Sequence, residues 1–202
     1  MKNKTAQLFS LTIKRIFPAL LCLCLSFSAC TSQIAQPAQE TDTLFSYAID
    51  TRAGIITPRN VKFNMAMSEV LQATGLSEDD IAGEADDPVI MHSIAIDGLS
   101  DNIREIFVFQ DDKLVTIRYA VTVSEEDYEK TCQTLEDQAS TEMHTGWLVG
   151  KINSLAENSQ TLWEDTEKNY VSLSPAISST PGERVILLEV HMTHGDQKTL
   201  ID

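Results

Sequence analysis

LVTIRYAVTV, residues 114–123, is the stretch that decides the fold. β-Branched and aromatic side chains dominate it, and such side chains favour a pleated strand. Because successive strand residues point to opposite sides, alternate positions are expected to share one apolar face. The residues on that predicted face are Val115, Ile117, Tyr119 and Val121.

Further runs of the same character lie on both sides of this strand. Residues 103–110 (IREIFVFQ) precede it, and Asp111-Asp112 between the two runs predicts a hairpin turn. The mostly apolar run VILLEVHM, residues 185–192, suits a central strand. That run belongs to a predicted strand over residues 184–194. Further strands are predicted over residues 44–56, 89–96, 161–166 and 170–173.

Two helices are predicted from apolar spacing and end signals. Residues 124–143 carry a single stripe made by Tyr128, Cys132, Leu135 and Ala139. A shorter helix is predicted over 65–74, with Asn64 as its N-cap and Gly75 just beyond its end. Residues 146–155 are ambiguous between a helix and an irregular apolar segment, and the acidic residues 78–87 predict an exposed loop.

The order of these elements predicts an α+β fold, an antiparallel sheet packed by two helices that follows a cleaved N-terminal signal. We expect residues 44–202 to form a single α+β domain. A helix followed by hairpins occurs twice, which is compatible with a weak internal duplication.

The net charge of the chain limits the classes of molecule that it can be expected to bind. The 202 residues contain 15 Lys+Arg and 30 Asp+Glu, a formal net charge of −15. Nucleic acid binding is therefore not expected, because phosphates require clustered basic residues. Adsorption to anionic lipid through a basic face is disfavoured for the same reason.

The N-terminus has the pattern of an export signal. Lys2, Lys4, Lys14 and Arg15 precede an apolar run over 16–29, which is too short for a comfortable bilayer span of ~20 residues. The run ends in Phe27-Ser28-Ala29-Cys30, which resembles the lipobox of bacterial lipoproteins, although Phe27 stands where Leu is usual. An ordinary secretory signal and an uncleaved anchor are the alternatives.

The lipobox resemblance implies cleavage of residues 1–29 and acylation of Cys30, with 30–43 as a flexible tether. The protein would then be extracytoplasmic and lipid-anchored to the bacterial cell membrane or outer membrane. The mature chain would have 173 residues, with 11 Lys+Arg against 30 Asp+Glu and a charge of −19. Cys132 would be its only free thiol, so no intramolecular disulfide is expected.

Residues 64–70 (NMAMSEV), followed by Gly75, are similar to the helix opening of small bacterial lipoproteins and of β-lactamase-inhibitor-like modules. Residues 109–114 (FQDDKL) resemble the hairpin of such modules. Asn64 and Ala66 depart from the usual pattern, which has Gly and a hydroxyl residue at these positions. The resemblance implies a non-catalytic module that acts through a protein surface.

No nucleophile, nucleotide or metalloprotease motif is present. His191 and His194 would face opposite sides of a strand, Cys132 lies on an apolar stripe, and the acids of 78–87 lack the EF-hand order. We therefore predict no catalytic residue, metal site or cofactor, although weak calcium binding by the acidic loop stays open.

Three functions remain. The first is a lipid-anchored binding domain with a protein or other envelope partner, which should show an exposed apolar or aromatic patch on its sheet. The second is an envelope hydrolase with an unrecognised site, which needs a cleft with perturbed ionisable groups. The third is a carrier of an apolar ligand, which needs a large apolar cavity.

Overall fold

An eight-stranded antiparallel sheet dominates the structure. The computed structural model describes residues 43–84, 87–151, 154–157 and 159–192. All of these belong to one compact unit, Thr41–Asp202. The signal, Cys30 and the tether up to residue 42 lie outside the described residues.

The strands of the large sheet follow the order β3-β4-β5-β6-β10-β9-β8-β7. They are β3 (Ile81–Glu84), β4 (Asp87–Ile96), β5 (Ser100–Gln110), β6 (Lys113–Ser124), β7 (Leu148–Lys151), β8 (Thr161–Glu164), β9 (Tyr170–Ala176) and β10 (Glu183–His191). Two short strands, β1 (Ile49–Asp50) and β2 (Thr57–Pro58), pair separately. The prediction of an α+β fold with an antiparallel sheet is confirmed, and the sheet is the dominant part of it.

Within the residues that the structure describes, three helices accompany the sheet rather than the two predicted: α1 (Leu44–Ala48), α2 (Met67–Thr74) and α3 (Tyr128–Glu142). The additional helix replaces the first five residues of the strand predicted at 44–56, and within that range the structure has a strand at Ile49–Asp50 alone. Thr43 Oγ1 accepts the Ser46 N–H at 3.0 Å and caps α1, and the apolar residues of α1 then share one helical face. Its buried Phe45 meets Trp163 edge-to-face at 6.1 Å.

The helix and strands of each half repeat the same order. The helix α2 precedes the meander β3 to β6, and α3 precedes the meander β7 to β10. The two meanders join where β6 pairs with β10, with Ala120 opposite Leu187. The repeated helix-then-hairpins order noted in the sequence therefore corresponds to two halves of one sheet.

The predicted end of α2 is confirmed, and its predicted N-cap is wrong. Gly75 adopts the left-handed conformation with φ 73°, and its N–H donates to Leu71 O. Ala66 occupies the N-cap position, because Asn64 N and Met65 O are already bound to Leu114 at 3.0 and 2.9 Å. These bonds hold residues 64 and 65 against β6 after a turn in which Asn64 has φ 67°, so the helix begins only after residue 66.

The central strands follow the predicted pattern with one local correction. The turn residues Asp111 and Asp112 both have positive φ, 51° and 58°, as a tight hairpin requires. A bulge follows this turn, since Val108 pairs with Thr116 but Phe109 pairs with Leu114. Leu114 is therefore the buried residue at this end of β6, in place of the predicted Val115.

Residues 78–84 of the acidic segment form regular structure in place of the predicted loop, while residues 85 and 86 lie outside the described residues. Glu78–Asp80 form a 3₁₀ turn and Ile81–Glu84 form β3. Gly83 permits the tight return to β4, since it has φ 90° and a Cβ there would lie 2.6 Å from Asp87 O. The ambiguous segment 146–155 contains β7, which follows a 3₁₀ turn at Thr145–Trp147.

The long helix begins at Tyr128 rather than Ser124, because Ser124 is still the last residue of β6. Its predicted stripe is confirmed, and Tyr128, Cys132, Leu135 and Ala139 are all buried. The buried residues of α1, α2 and α3 join one core with the strands. None of these helices has the length and apolar character needed to span a bilayer.

Candidate functional site

The candidate site is the face of the large sheet opposite the helices, which we call the open face. All three helices direct their buried side chains to the core on the other face. Within the described residues, no helix therefore packs on the open face. The nine central side chains of this face are Arg104, Ile106, Val108, Thr116, Arg118, Ala120, Leu187, Glu189 and His191.

The strand register arranges these nine side chains in three rows across β5, β6 and β10. The first row is Arg104, Ala120 and Leu187, the second is Ile106, Arg118 and Glu189, and the third is Val108, Thr116 and His191. Directly opposed residues in such rows have Cβ atoms about 5 Å apart and interact. The open face therefore combines aliphatic and charged side chains within one contiguous area.

A polar network occupies one side of the open face. Arg118 Nε donates to Glu189 Oε1 at 2.5 Å, and His191 Nε2 lies 3.7 Å from Glu189 Oε2. His191 Nδ1 is 2.9 Å from Thr116 Oγ1. The Tyr170 ring stacks on the imidazole at a centroid distance of 4.4 Å. Side chains from β6, β9 and β10 thus hold one another in fixed positions.

This network alters two ionisation equilibria. Partial burial of Glu189 favours its neutral form, but hydrogen bonds and charges from His191 and Arg118 outweigh that effect and lower its pKa. Burial and the nearby Glu189 charge raise the pKa of Tyr170. The network therefore favours an ionised carboxylate beside a neutral phenol.

Apolar side chains surround the charged ones. Ile106, Val108, Ala120 and Leu187 are each half-buried, although no described helix covers them. Val108 also lies opposite Val89 of β4, which is half-buried too. Partly exposed apolar side chains that no helix covers are a common feature of protein-binding surfaces.

A second polar cluster lies in the core. Glu105 is 3% exposed, and its Oε2 accepts from His92 Nε2 at 2.6 Å and from Tyr47 Oη at 3.3 Å. Burial, followed by the Glu105 charge, raises the pKa of both Tyr47 and Tyr119. Since this carboxylate is shielded from solvent by α1 and the sheet, the cluster serves to attach α1.

The structure places Cys132 and His191, which the sequence singled out, in separate parts of the fold, and the other described His and Trp side chains form no site with them. Cys132 is buried, and burial, despite a hydrogen bond from Tyr128, raises the pKa of its thiol. His144 meets Trp147 edge-on at 4.5 Å, while Trp163 is buried in the core. His191 joins the open face, and its predicted partner His194 lies outside the described residues.

In the acidic segment, Asp80 caps the start of the 3₁₀ turn at Glu78–Asp80. Asp80 Oδ2 accepts from Ser77 N at 2.9 Å and from Ser77 Oγ at 3.2 Å. Among the residues that the structure describes, no group of three or more His, Cys, Asp or Glu is placed to hold a metal ion. Asp86 lies outside those residues.

Two concavities bear on the hydrolase and carrier hypotheses. A cavity of about 160 Å³ lies between α3 and the strands β7 and β8, with Glu136 as the ionisable residue among its described lining. Glu136 Oε1 already accepts the Leu155 N–H at 2.7 Å. A hollow of about 400 Å³ at the β9–β10 turn is lined by Ile177, which is 98% exposed, so it is a surface depression. Neither has the enclosed apolar character of a typical ligand pocket.

Comparison of the chain with models of known protein families, with curated proteins and with solved structures finds no match. The sequence also contained no signal for the polar network, because its members lie on strands that are up to 75 residues apart. The alternation around Arg118 does indicate its face, since its neighbours Ile117 and Tyr119 are both buried.

Proposed function

We propose that this chain is an extracytoplasmic lipoprotein, anchored through Cys30, whose open face binds another protein of the cell envelope. The observation that carries the proposal is the uncovered face of the sheet, where half-buried aliphatic residues surround fixed charges. Binding surfaces commonly combine an apolar centre with polar groups held in place.

The N-terminal pattern supports the anchoring part of the proposal. Acyl chains on Cys30 would hold an acidic domain at a membrane whose lipids its own surface does not attract. Labelled fatty acid should enter the wild-type protein and should fail to enter the Cys30→Ala variant. An unlabelled wild-type protein would contradict the anchoring.

Site-specific photo-cross-linking in intact cells tests the binding part. A photoreactive residue at Leu187 or Ile106 on the open face should give a discrete adduct with one envelope protein. The matched control places the same residue at Ser68, which is exposed on α2 on the other side of the sheet. Equal adducts from both sides, or none from the open face, would contradict the proposal.

A further inference from the structure

Arg104 stands out among the charged groups of the open face. It is exposed in the first row, between Ser93 of β4 and Ala120 of β6. Within the described residues, its guanidinium has no hydrogen bond or ion pair. Arg118, in the neighbouring row, is by contrast bound to Glu189.

The surroundings of Arg104 are apolar as well as positive. Ile106 follows it on the same face of β5, and Leu187 lies beyond Ala120 in its row. Arg118 is a diagonal neighbour, at a typical distance of about 7–8 Å in an antiparallel pair. Because Glu189 neutralises Arg118, Arg104 is the residue of this pair without an ion pair among the described residues, and its neighbours are the aliphatic Ile106, Ala120 and Leu187 on one side and the polar Ser93 and Asn102 on the other.

Charge complementarity identifies what would bind there. A carboxylate pairs with a guanidinium through two parallel hydrogen bonds, and an arginine at the centre of an apolar patch is a common anchor of interfaces. The chain as a whole carries −15, so a strongly acidic partner would be repelled. The complementary partner therefore has one carboxylate between aliphatic side chains rather than an acidic run.

We propose that Arg104 is the anchor of the open face, and that its occupant is a protein segment presenting a single Asp or Glu side chain flanked by aliphatic residues. This inference rests on the proposed function and names the chemistry of the partner. The aliphatic flanks would cover Ile106 and Leu187 while the carboxylate binds Arg104.

A matched pair of synthetic peptides tests the inference. The probe is acetyl-Ser-Ile-Glu-Leu-Ser-amide, its control replaces Glu with Gln, and free acetate is the third ligand. In NMR titrations of the whole protein, the Glu peptide should shift the Arg104 side-chain N–H and the Ile106 and Ala120 amides. It should bind at least about tenfold more tightly than the Gln peptide or acetate.

The variants Arg104→Gln and Arg59→Gln complete the test. Arg59 is exposed and directly follows β2, which is not a strand of the large sheet, so its substitution removes the same charge outside the open face. Binding of the Glu peptide should weaken about tenfold in Arg104→Gln and stay unchanged in Arg59→Gln. Equal binding of the two peptides, equal binding of acetate, or equal loss in both variants would overturn the inference.

The outcome is separable from that of the proposed function. If the Leu187 cross-link persists undiminished in the Arg104→Gln variant, the open face binds a partner without the carboxylate contact, and only the inference fails. If no open-face cross-link forms in the wild type, the proposed function fails as well. A cross-link that Arg104→Gln abolishes and Arg59→Gln preserves supports both.

Discussion

The two faces of the large sheet are built from the same strands but differ in how far their side chains are exposed to solvent. On β10, Leu188 is 0% exposed within the core, while its neighbour Leu187 lies half-buried on the open face. Each face also has a paired carboxylate, Glu105 in the core and Glu189 on the open face. A strand alternates its side chains, so one run of sequence can supply stability on one side and recognition on the other.

This difference in burial indicates how readily the residues of each face can be substituted. Core residues contact neighbours on every side, so their truncation leaves cavities, whereas open-face residues can be replaced at small cost to folding. A binding surface can therefore diverge on the open face while the core keeps the fold.

The largest difference is expected between two adjacent leucines. Leu188→Ala should lower the free energy of unfolding by about 2–5 kcal/mol, because it removes a fully buried side chain and leaves a cavity. Leu187→Ala should cost less than about 1 kcal/mol, since solvent already reaches that side chain. Urea unfolding followed by circular dichroism measures both. Similar losses would mean that the open face is covered in solution.

The two carboxylates provide the next contrast. Glu105→Ala should cost about 3 kcal/mol, because it leaves the donors of His92 and Tyr47 without an acceptor in the core. Glu189→Ala should cost about 1 kcal/mol or less, since Arg118 remains hydrated. Hydrogen exchange provides a second readout, because only Glu105→Ala should loosen the amides of α1, which Tyr47 attaches to the sheet.

The sequence was sufficient for the parts of the fold that depend on local pattern. The alternation of β6, the Asp111-Asp112 turn and the apolar stripe of α3 all predicted the observed elements. The sequence pattern does not predict α1, because five residues are too few to display a helical period. The N-cap Thr43 is the one local signal that marks its start. Pairing of β6 with β10 depends on packing between distant segments, which periodicity does not encode.

The candidate site was less predictable than the fold for the same reason. Its central members come from three strands, and the register that aligns Arg118 with Glu189 follows from the long-range pairing of β6 and β10. Cys30 and the N-terminal pattern are different, since Phe27-Ser28-Ala29-Cys30 is a contiguous motif whose resemblance to a lipobox needs no structure, and lipidation of Cys30 stays a prediction. His191 was noted in the sequence as a possible ligand, but its partners Thr116 and Tyr170 were not.

Tyrosine ionisation tests both faces in one experiment. All four tyrosines have raised pKa values, chiefly through burial: Tyr47, Tyr119 and Tyr128 by the core, and Tyr170 on the open face. Free tyrosine ionises near pH 10. The contribution of these four neutral phenols to the free energy of unfolding is fully present below that pH and is lost as the pH rises above it. Phenolate absorbance should therefore appear together with unfolding. Tyr170→Phe should remove a smaller part of this alkaline loss than Tyr47→Phe or Tyr119→Phe, and an early phenolate signal that persists in Tyr170→Phe would contradict burial of the other three.

The smallest expected effect is a loss of stability at acid pH, and it comes from Glu189 on the open face. Because the pKa of Glu189 is lowered in the folded state, its contribution to stability is present above its ordinary pKa of about 4.3 and disappears as pH falls through the folded value. Glu189→Gln should be less stable than the wild type at neutral pH by under about 1 kcal/mol, and the two should converge in acid. Glu129→Gln removes an equal charge from the exposed side of α3 and controls for general repulsion. If its unfolding free energy shows the same dependence on pH as that of Glu189→Gln, the effect comes from net charge, and the network of Arg118, Glu189 and His191 does not hold the open face in place.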